Sequence, residues 1–299
     1  MRIGNVAGRL VLANGANGAN GDRILDVEAA SGGRFSADVQ AVYERWAEFR
    51  QWAADLPSAA ETPAAETPAP EALEAPAPRP RQVFAIGLNY RDHAAEAGLE
   101  LPTTSLVVFT KFPASITGPF ATIDLPSGSV DYEAELVVVL GRTAYQVPAE
   151  HAWDYVAGLT MGQDLSEREV QFTPPTPQFS LGKSFPGFAP MGPWLVTPDE
   201  FADPDDLELG CLLNGGQLQK SRTSEMVFPV ARIISFLSAI LPLYPGDVIF
   251  TGTPAGIGWV RNPRRLLRAG DELVTFAEQI GSMRNHFAGP RSIGDRSDG

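Results

Sequence analysis

Cysteine is all but missing from this chain. Cys211 stands alone among 299 residues, so no internal disulfide framework can form, and the usage fits a reducing cytoplasm. Histidine is almost as scarce, with only His93, His151 and His286, and no cluster of His and Cys offers a zinc site. Of the 23 Lys and Arg residues only Lys111, Lys183 and Lys220 are lysines, so nearly all positive charge is guanidinium. No apolar run approaches the ~18–20 residues of a membrane-spanning helix, and the first residues lack a secretory-signal pattern. Positive charge is also in overall deficit. A formal net charge of −13 argues against a nucleic-acid partner and against an anionic membrane surface.

Apolar residues make up 44% and charged residues 20%, the balance of a soluble globular chain able to build a proper core. Residues 1–56 read as a small N-terminal domain. Arg9–Leu12 and Ile24–Val27 are strand partners, and the Asn-Gly repeats over 14–21 between them predict a mobile loop. Val39, Val42, Tyr43, Trp46, Phe49 and Trp52 recur at helical spacing, which predicts one amphipathic helix over 36–55. Residues 57–81 are rich in Pro, Ala and Glu and predict an extended linker without a core of its own. The main domain is expected over 82–288, with a flexible tail at 289–299.

The main domain is organised around Asp131-Tyr132-Glu133-Ala134-Glu135-Leu136-Val137-Val138-Val139-Leu140-Gly141. Alternation at its start and an aliphatic run at its end predict a strand entering the interior. Residues two apart on a strand share a face about 6.6–6.8 Å apart, so Asp131, Glu133 and Glu135 project together. Acids entering a buried strand are costly unless a positive group meets them, and no Lys or Arg lies on the segment. A bound cation resolves this, with Asp164 as the third oxygen ligand. Three carboxylates without clustered His or Cys suit a hard ion, Mg²⁺ first, with Mn²⁺ or Ca²⁺ as alternatives. The competing reading is an ordinary edge strand with solvated acids.

In Arg91-Asp92-His93-Ala94-Ala95-Glu96, closed by Gly98, His93 and Glu96 are three apart and share a helix face. A carboxylate that orients a His is a general-base arrangement; the alternative is a surface ion pair. Gln171–Ser180 carries three prolines and no apolar period, the composition of a loop or lid.

Seven stretches together resemble the fumarylacetoacetate hydrolase family: G-L-N-Y-x-D-H-x-x-E at 87–96, D-Y-E-A-E-L at 131–136, G-x-x-x-G-Q-D-L-S-x-R at 158–168, G-K-S-F at 182–185, G-P-W-L-V-T at 192–197, P-G-D-V-I-F-T-G-T-P-A-G-I-G at 245–258 and I-G-S-M-R-N at 280–285. The resemblance implies an α+β, mainly β fold of mixed sheets rolled into a barrel-like sandwich, with a small N-terminal domain, in a homodimer. It implies a divalent ion on Glu133, Glu135 and Asp164, catalytic roles for His93, Glu96 and Lys183, and substrate contacts from Arg168, Gln171 and Thr253. The implied substrate is a small anionic 2-oxo or diketo acid, and the implied reaction is hydrolysis of a C–C bond in a 2,4-diketo acid. Isomerisation or decarboxylation of related 2-oxo and dienoate acids is the alternative, and a non-catalytic metal-binding scaffold a third reading. The chain departs from the pattern at Pro186, where Asp is usual, and at Gly216, where Glu is usual.

Overall fold

The protein's short aliphatic runs, most of them ended by Gly, Pro or Asn, fold as strands rather than helices. A computed structural model describes residues 1–14, 23–56, 69–96 and 98–290. Its large sheet runs in the order Arg23–Asp26, Arg9–Asn14, Arg2–Val6, Ala189–Val196, Val156–Gln163, Ala134–Leu140, Val248–Phe250, Val83–Gly87 and Val107–Thr110. Leu73–Glu74 and Ile116–Thr117 attach beside this path. A second sheet orders Gly216–Arg222, Glu208–Leu213, Glu272–Ala277, Gly281–Ala288 and Thr122–Asp124. The pairing is mixed: Val248–Phe250 runs parallel to Val83–Gly87 and antiparallel to Ala134–Leu140. This is the mainly β, mixed-sheet architecture expected from the sequence, but both sheets keep edge strands and no barrel closes.

Ala134–Leu140 lies mid-sheet and is buried along its whole length, as its two-faced apolar run requires. The Val230–Ile240 helix buries Val230, Ile233, Ile234 and Leu237, which helical spacing places on one face. Asn214 and Gly215 both adopt positive φ and turn the Glu208–Leu213 strand back on Gly216–Arg222. No helix among the described residues is long and apolar enough to cross a membrane.

Several local readings need correction. The N-terminal strands do not stand apart: Arg2 and Ile3 pair with Val196 and Leu195, extending the main sheet. The mobile-loop expectation falls on residues 15–22, outside the described residues apart from Asn14 at the end of its strand. Of the expected linker, 57–68 lies outside the described residues and 69–71 is exposed, but 73–77 is packed. Leu73–Glu74 pairs with Arg2–Val6, Ala75 and Ala77 are buried, and the Tyr43 hydroxyl donates to the Pro76 carbonyl at 2.7 Å. Small Ala and Pro side chains let this segment lie flat against the sheet edge, which composition alone cannot reveal. The 36–55 helix is in fact a 3-10 turn, Gln40–Arg45, followed by an α-helix, Trp46–Ala54. The break falls at Arg45, whose φ of −121° is not helical and whose guanidinium binds Glu48 and the Arg34 carbonyl. Of the 289–299 tail, residues 291–299 lie outside the described residues.

Candidate active site and metal centre

The acidic segment forms two strands, not one. Val130–Asp131 pairs with Ser166–Glu167, and Ala134–Leu140 joins the main sheet, so the backbone leaves the ladder at Tyr132 and Glu133. Side chains replace the missing strand partner. Gln163 Oε1 accepts from the Glu133 N–H at 2.8 Å, and Gln219 Oε1 from the Ala134 N–H at 2.9 Å. The break separates the roles of the three acids. Asp131 turns to the Gly258 and Trp259 N–H groups and to Arg168, while Glu133 and Glu135 meet Asp164.

One carboxylate oxygen each from Glu133, Glu135 and Asp164 lies within 4.8 Å of the others, and all three residues are buried. Cations absent from the local sequence arrive from elsewhere. Lys183 Nζ donates to Glu133 Oε2 and Asp164 Oδ2, each at 2.6 Å. Lys111 Nζ donates to Asp164 Oδ1 at 2.6 Å and also to the Lys183 carbonyl. Arg168 donates to Asp131 Oδ2 and to Glu133 Oε1, each at 2.7 Å from Nη2, and from Nη1 to Gln171 Oε1 at 2.9 Å. Gly182 makes this convergence sterically open. A Cβ there would stand 2.6 Å from the Gln171 backbone nitrogen, so glycine lets the Phe179–Gly182 turn press against Arg168–Gln171 and deliver Lys183.

Four buried acids, Asp131, Glu133, Glu135 and Asp164, thus face three buried cations, Lys111, Arg168 and Lys183. The surplus falls on Glu135. Among the described residues no Lys or Arg makes an ion pair with it, and its side chain accepts from the Gly252 N–H at 2.8 Å. Gly252 sits at φ +103°, where a Cβ would strike Asn89, so only glycine makes this approach without strain. Burial, then the charges of Asp164 and Glu133, raise Glu135 well above the usual carboxylate range. Burial also works against ionised Glu133, yet Lys183 and Arg168 prevail and hold it below that range. Burial lowers Lys111 despite Asp164, whereas Lys183 is raised because Asp164 and Glu133 outweigh its burial. A buried acid lacking a cation, beside two carboxylates with lone pairs to spare, fits a divalent ion bound by oxygen.

The helix Arg91–Glu96 places His93 Nδ1 2.9 Å from Glu96 Oε1, and the Gly256 N–H holds the other Glu96 oxygen at 2.9 Å. A cavity of about 330 Å³ is lined by His93, Glu133, Glu135, Arg168, Gln171, Lys183 and Thr253. Glu96 and Asp164 lie behind that lining, in contact with His93 and Lys183 respectively. Thr253 already spends its hydroxyl: it donates to the Ala134 carbonyl and accepts from Gln219 Nε2. Lys111 and Asp131 were missed as site residues. The scarcity of lysine was a signal for Lys111; for Asp131 the strand period grouped it with the ligands, whereas its partners are Arg168 and a turn.

Residues 82–288 match the family described as fumarylacetoacetate (FAA) hydrolase, C-terminal. The chain belongs to the fumarylacetoacetate hydrolase family. It is 42% identical over 213 residues to the mitochondrial oxaloacetate tautomerase Fahd2a of Rattus norvegicus, covering 71% of this chain and 67% of the relative. A solved structure from Mycobacterium smegmatis described as an HpcE protein is 51% identical, with a TM-score of 0.87, covering 97% of this chain and 100% of that one. Maleylpyruvate hydrolase from Sphingobium sp. SYK-6, solved with manganese(II) and pyruvate, is 26% identical at a TM-score of 0.77, covering 97% and 100%. The chain is an enzyme of this family, which includes hydrolases, isomerases and tautomerases.

Proposed function

We propose that this fumarylacetoacetate hydrolase family member cleaves the C–C bond of an acylpyruvate, a 2,4-diketo acid. The observation that carries the reading is one cavity lined by Glu133, Glu135 and His93, with Asp164 completing the acidic cluster and Glu96 the His–carboxylate pair just behind that lining. A divalent ion on those three residues, Mg²⁺ or Mn²⁺, would supply Lewis-acid polarisation of the 2-oxo acid. Arg168 and Lys183 bring positive charge to the wall that meets the substrate carboxylate, and Gln171 orients Arg168. Glu96 accepts the Nδ1 proton of His93, which leaves Nε2 as the base. His93 takes a proton from water as its oxygen attacks the distal carbonyl. The C–C bond breaks, its electron pair stays with the pyruvate fragment as an enolate, and His93 returns the proton to that carbon. One water is consumed, and a carboxylic acid and pyruvate leave.

A second reading, tautomerisation, isomerisation or decarboxylation of a 2-oxo acid, draws support from the 42% identity to an oxaloacetate tautomerase. It needs proton transfer by His93 but no attacking water. The two separate on a panel of acetylpyruvate, oxaloacetate and a hydroxymuconate-type dienoate, with Mg²⁺ or Mn²⁺ and with a chelator. The hydrolase reading expects metal-dependent release of pyruvate from acetylpyruvate. His93→Ala should lower kcat by about 10²–10⁴-fold without loss of metal binding. Oxaloacetate turnover with no acylpyruvate cleavage would install the second reading.

We assign the active species to the cytoplasm as a homodimer. The edge strand Val107–Thr110 exposes Val107 and Val108, and Phe112 follows them, also exposed, which supports a self-associating face. The thiol of Cys211 is free and buried, consistent with a reducing compartment. Sedimentation at micromolar concentration tests the dimer.

A further inference from the structure

The cavity has two unlike halves. Its inner half is defined by the buried charged groups of Glu133, Glu135, Arg168 and Lys183. Its outer half, open to solvent where Phe172 is 42% exposed, is walled by Phe172, Phe179, Ile257, Trp259 and Val260, and Phe109 joins the two halves, with Lys183 Nζ 5.0 Å from its ring centre. Its rings form a continuous chain, with centroids 5.6 Å apart for Phe109 and Phe179, 5.8 Å for Phe172 and Phe179, and 6.3 Å for Phe172 and Trp259. Arg264, itself not part of the lining, stacks 3.6 Å from the centre of the Trp259 ring and fixes the indole as a wall. Among the described residues, Arg168 and Lys183 are the only Arg or Lys lining the cavity, and both are already bound to carboxylates of the inner half.

We propose that the outer half selects an uncharged, apolar acyl group, alkyl or aryl, and disfavours a substrate with a second carboxylate. The inference rests on the acylpyruvate reading for the orientation of the substrate, whose 2-oxo acid end faces the inner charges. A distal carboxylate placed among these apolar side chains would lose its hydration, and the Lys and Arg of the lining are already paired to buried carboxylates. An alkyl tail gains by burial, and an aryl ring gains further from edge or offset contacts with the ring chain. The preference is thus the opposite of that expected for a dicarboxylic 2-oxo acid.

Calorimetric titration of the Mn²⁺-loaded enzyme tests this without relying on turnover. The ligands are pyruvate, 2-oxohexanoate, phenylpyruvate, 2-oxoglutarate and 5-methyl-2-oxohexanoate, the last matching 2-oxoglutarate in shape but not charge. Affinity should rise about fourfold per methylene from pyruvate to 2-oxohexanoate. 5-Methyl-2-oxohexanoate should bind at least about tenfold tighter than 2-oxoglutarate. Equal or tighter binding of 2-oxoglutarate overturns the proposal. Val260 is 37% exposed at the rim, so Val260→Arg adds a cation without disturbing the core, and it should invert the order. Trp259→Ala should reduce the apolar preference by about tenfold; an unchanged preference in both variants also overturns it. In parallel, kcat/KM for benzoylpyruvate should exceed that for fumarylpyruvate. If no acylpyruvate is cleaved yet the binding order holds, the catalytic reading fails and the selectivity stands. If acylpyruvates are cleaved and dicarboxylates bind better, the selectivity fails and the catalytic reading stands.

Discussion

Two chains of aromatic rings run through this molecule, and they serve opposite ends. In the N-terminal region Phe35, Phe49, Trp52, Trp46 and Tyr43 are linked at centroid distances of 5.4–5.8 Å. Phe109, Phe179, Phe172 and Trp259 are linked almost as closely around the cavity. The first chain is packed on most sides, with Trp52 partly exposed at its end. Phe49 is fully buried, Arg34 and Arg45 cover Phe35, and Gly141 leaves room for Trp46, since a Cβ there would stand 2.4 Å from the indole. The second chain is left open: Phe172 is 42% exposed, and the rings border a cavity instead of a neighbouring element. The same side-chain chemistry builds a core where partners surround it and a binding wall where one flank is empty.

Removing a ring from each chain should break the symmetry most visibly. Trp46→Ala should destabilise the fold by about 3–5 kcal/mol, the range for deleting a buried aromatic. Trp259→Ala should cost less than about 1 kcal/mol, because its loss leaves an enlarged cavity open to solvent rather than a sealed void. Urea unfolding of both variants checks the contrast, and equal losses would mean that the cavity rings are structural after all.

The next contrast lies between the outer rings and the inner acids. Glu135→Gln removes the cost of burying an acid that no Lys or Arg pairs with, a cost that already pushes its protonation upward in pH, so the metal-free protein should gain about 1–3 kcal/mol in stability. The same change should abolish metal binding and activity. Thermal unfolding in the presence of a chelator, together with a Mn²⁺ titration, reads both. A fall in metal-free stability would show that Glu135 is already compensated without an ion.

The smallest effect belongs to the N-terminal region's surface. Asp26 is held below the ordinary aspartate range, first by its hydrogen bond from Arg9 and also by the Ala29 N–H, with burial opposing. Because the folded value is the lower one, this contribution is present at neutral pH and is lost as pH falls through the aspartate range. The pair is partly exposed and screened, so its worth is less than about 1 kcal/mol. Asp26→Asn keeps an N-cap oxygen and should flatten this part of the acid dependence of unfolding, measured by urea titration at several pH values.

Local physics was legible in the sequence. The i,i+3 spacing brings His93 to Glu96 within a single helical turn, whatever surrounds it. Positive φ at Asn214 and Gly215 makes the hairpin by itself, and the apolar stripe of 230–240 selects its own buried face. Period two likewise aimed Glu133 and Glu135 toward one site, and their buried charge pointed to a missing cation. The family resemblance brought Lys183 and Arg168 to the site, but Lys111, and the pairing of all three with the acids, were not legible. The ion pairs of Lys111, Arg168 and Lys183 with these acids span 19 to 53 residues of chain, and only the order of the strands brings the partners together. The departure of Tyr132 and Glu133 from the ladder was equally hidden, because Gln163 and Gln219 stand in for the missing partner strand. So was the packing of 73–77, whose composition suits solvent as well as a sheet edge. Backbone periodicity and turn chemistry act over a few residues and leave their mark in the sequence. Charge compensation and cavity walls depend on which distant segments become neighbours, and that was decided only when the sheets assembled.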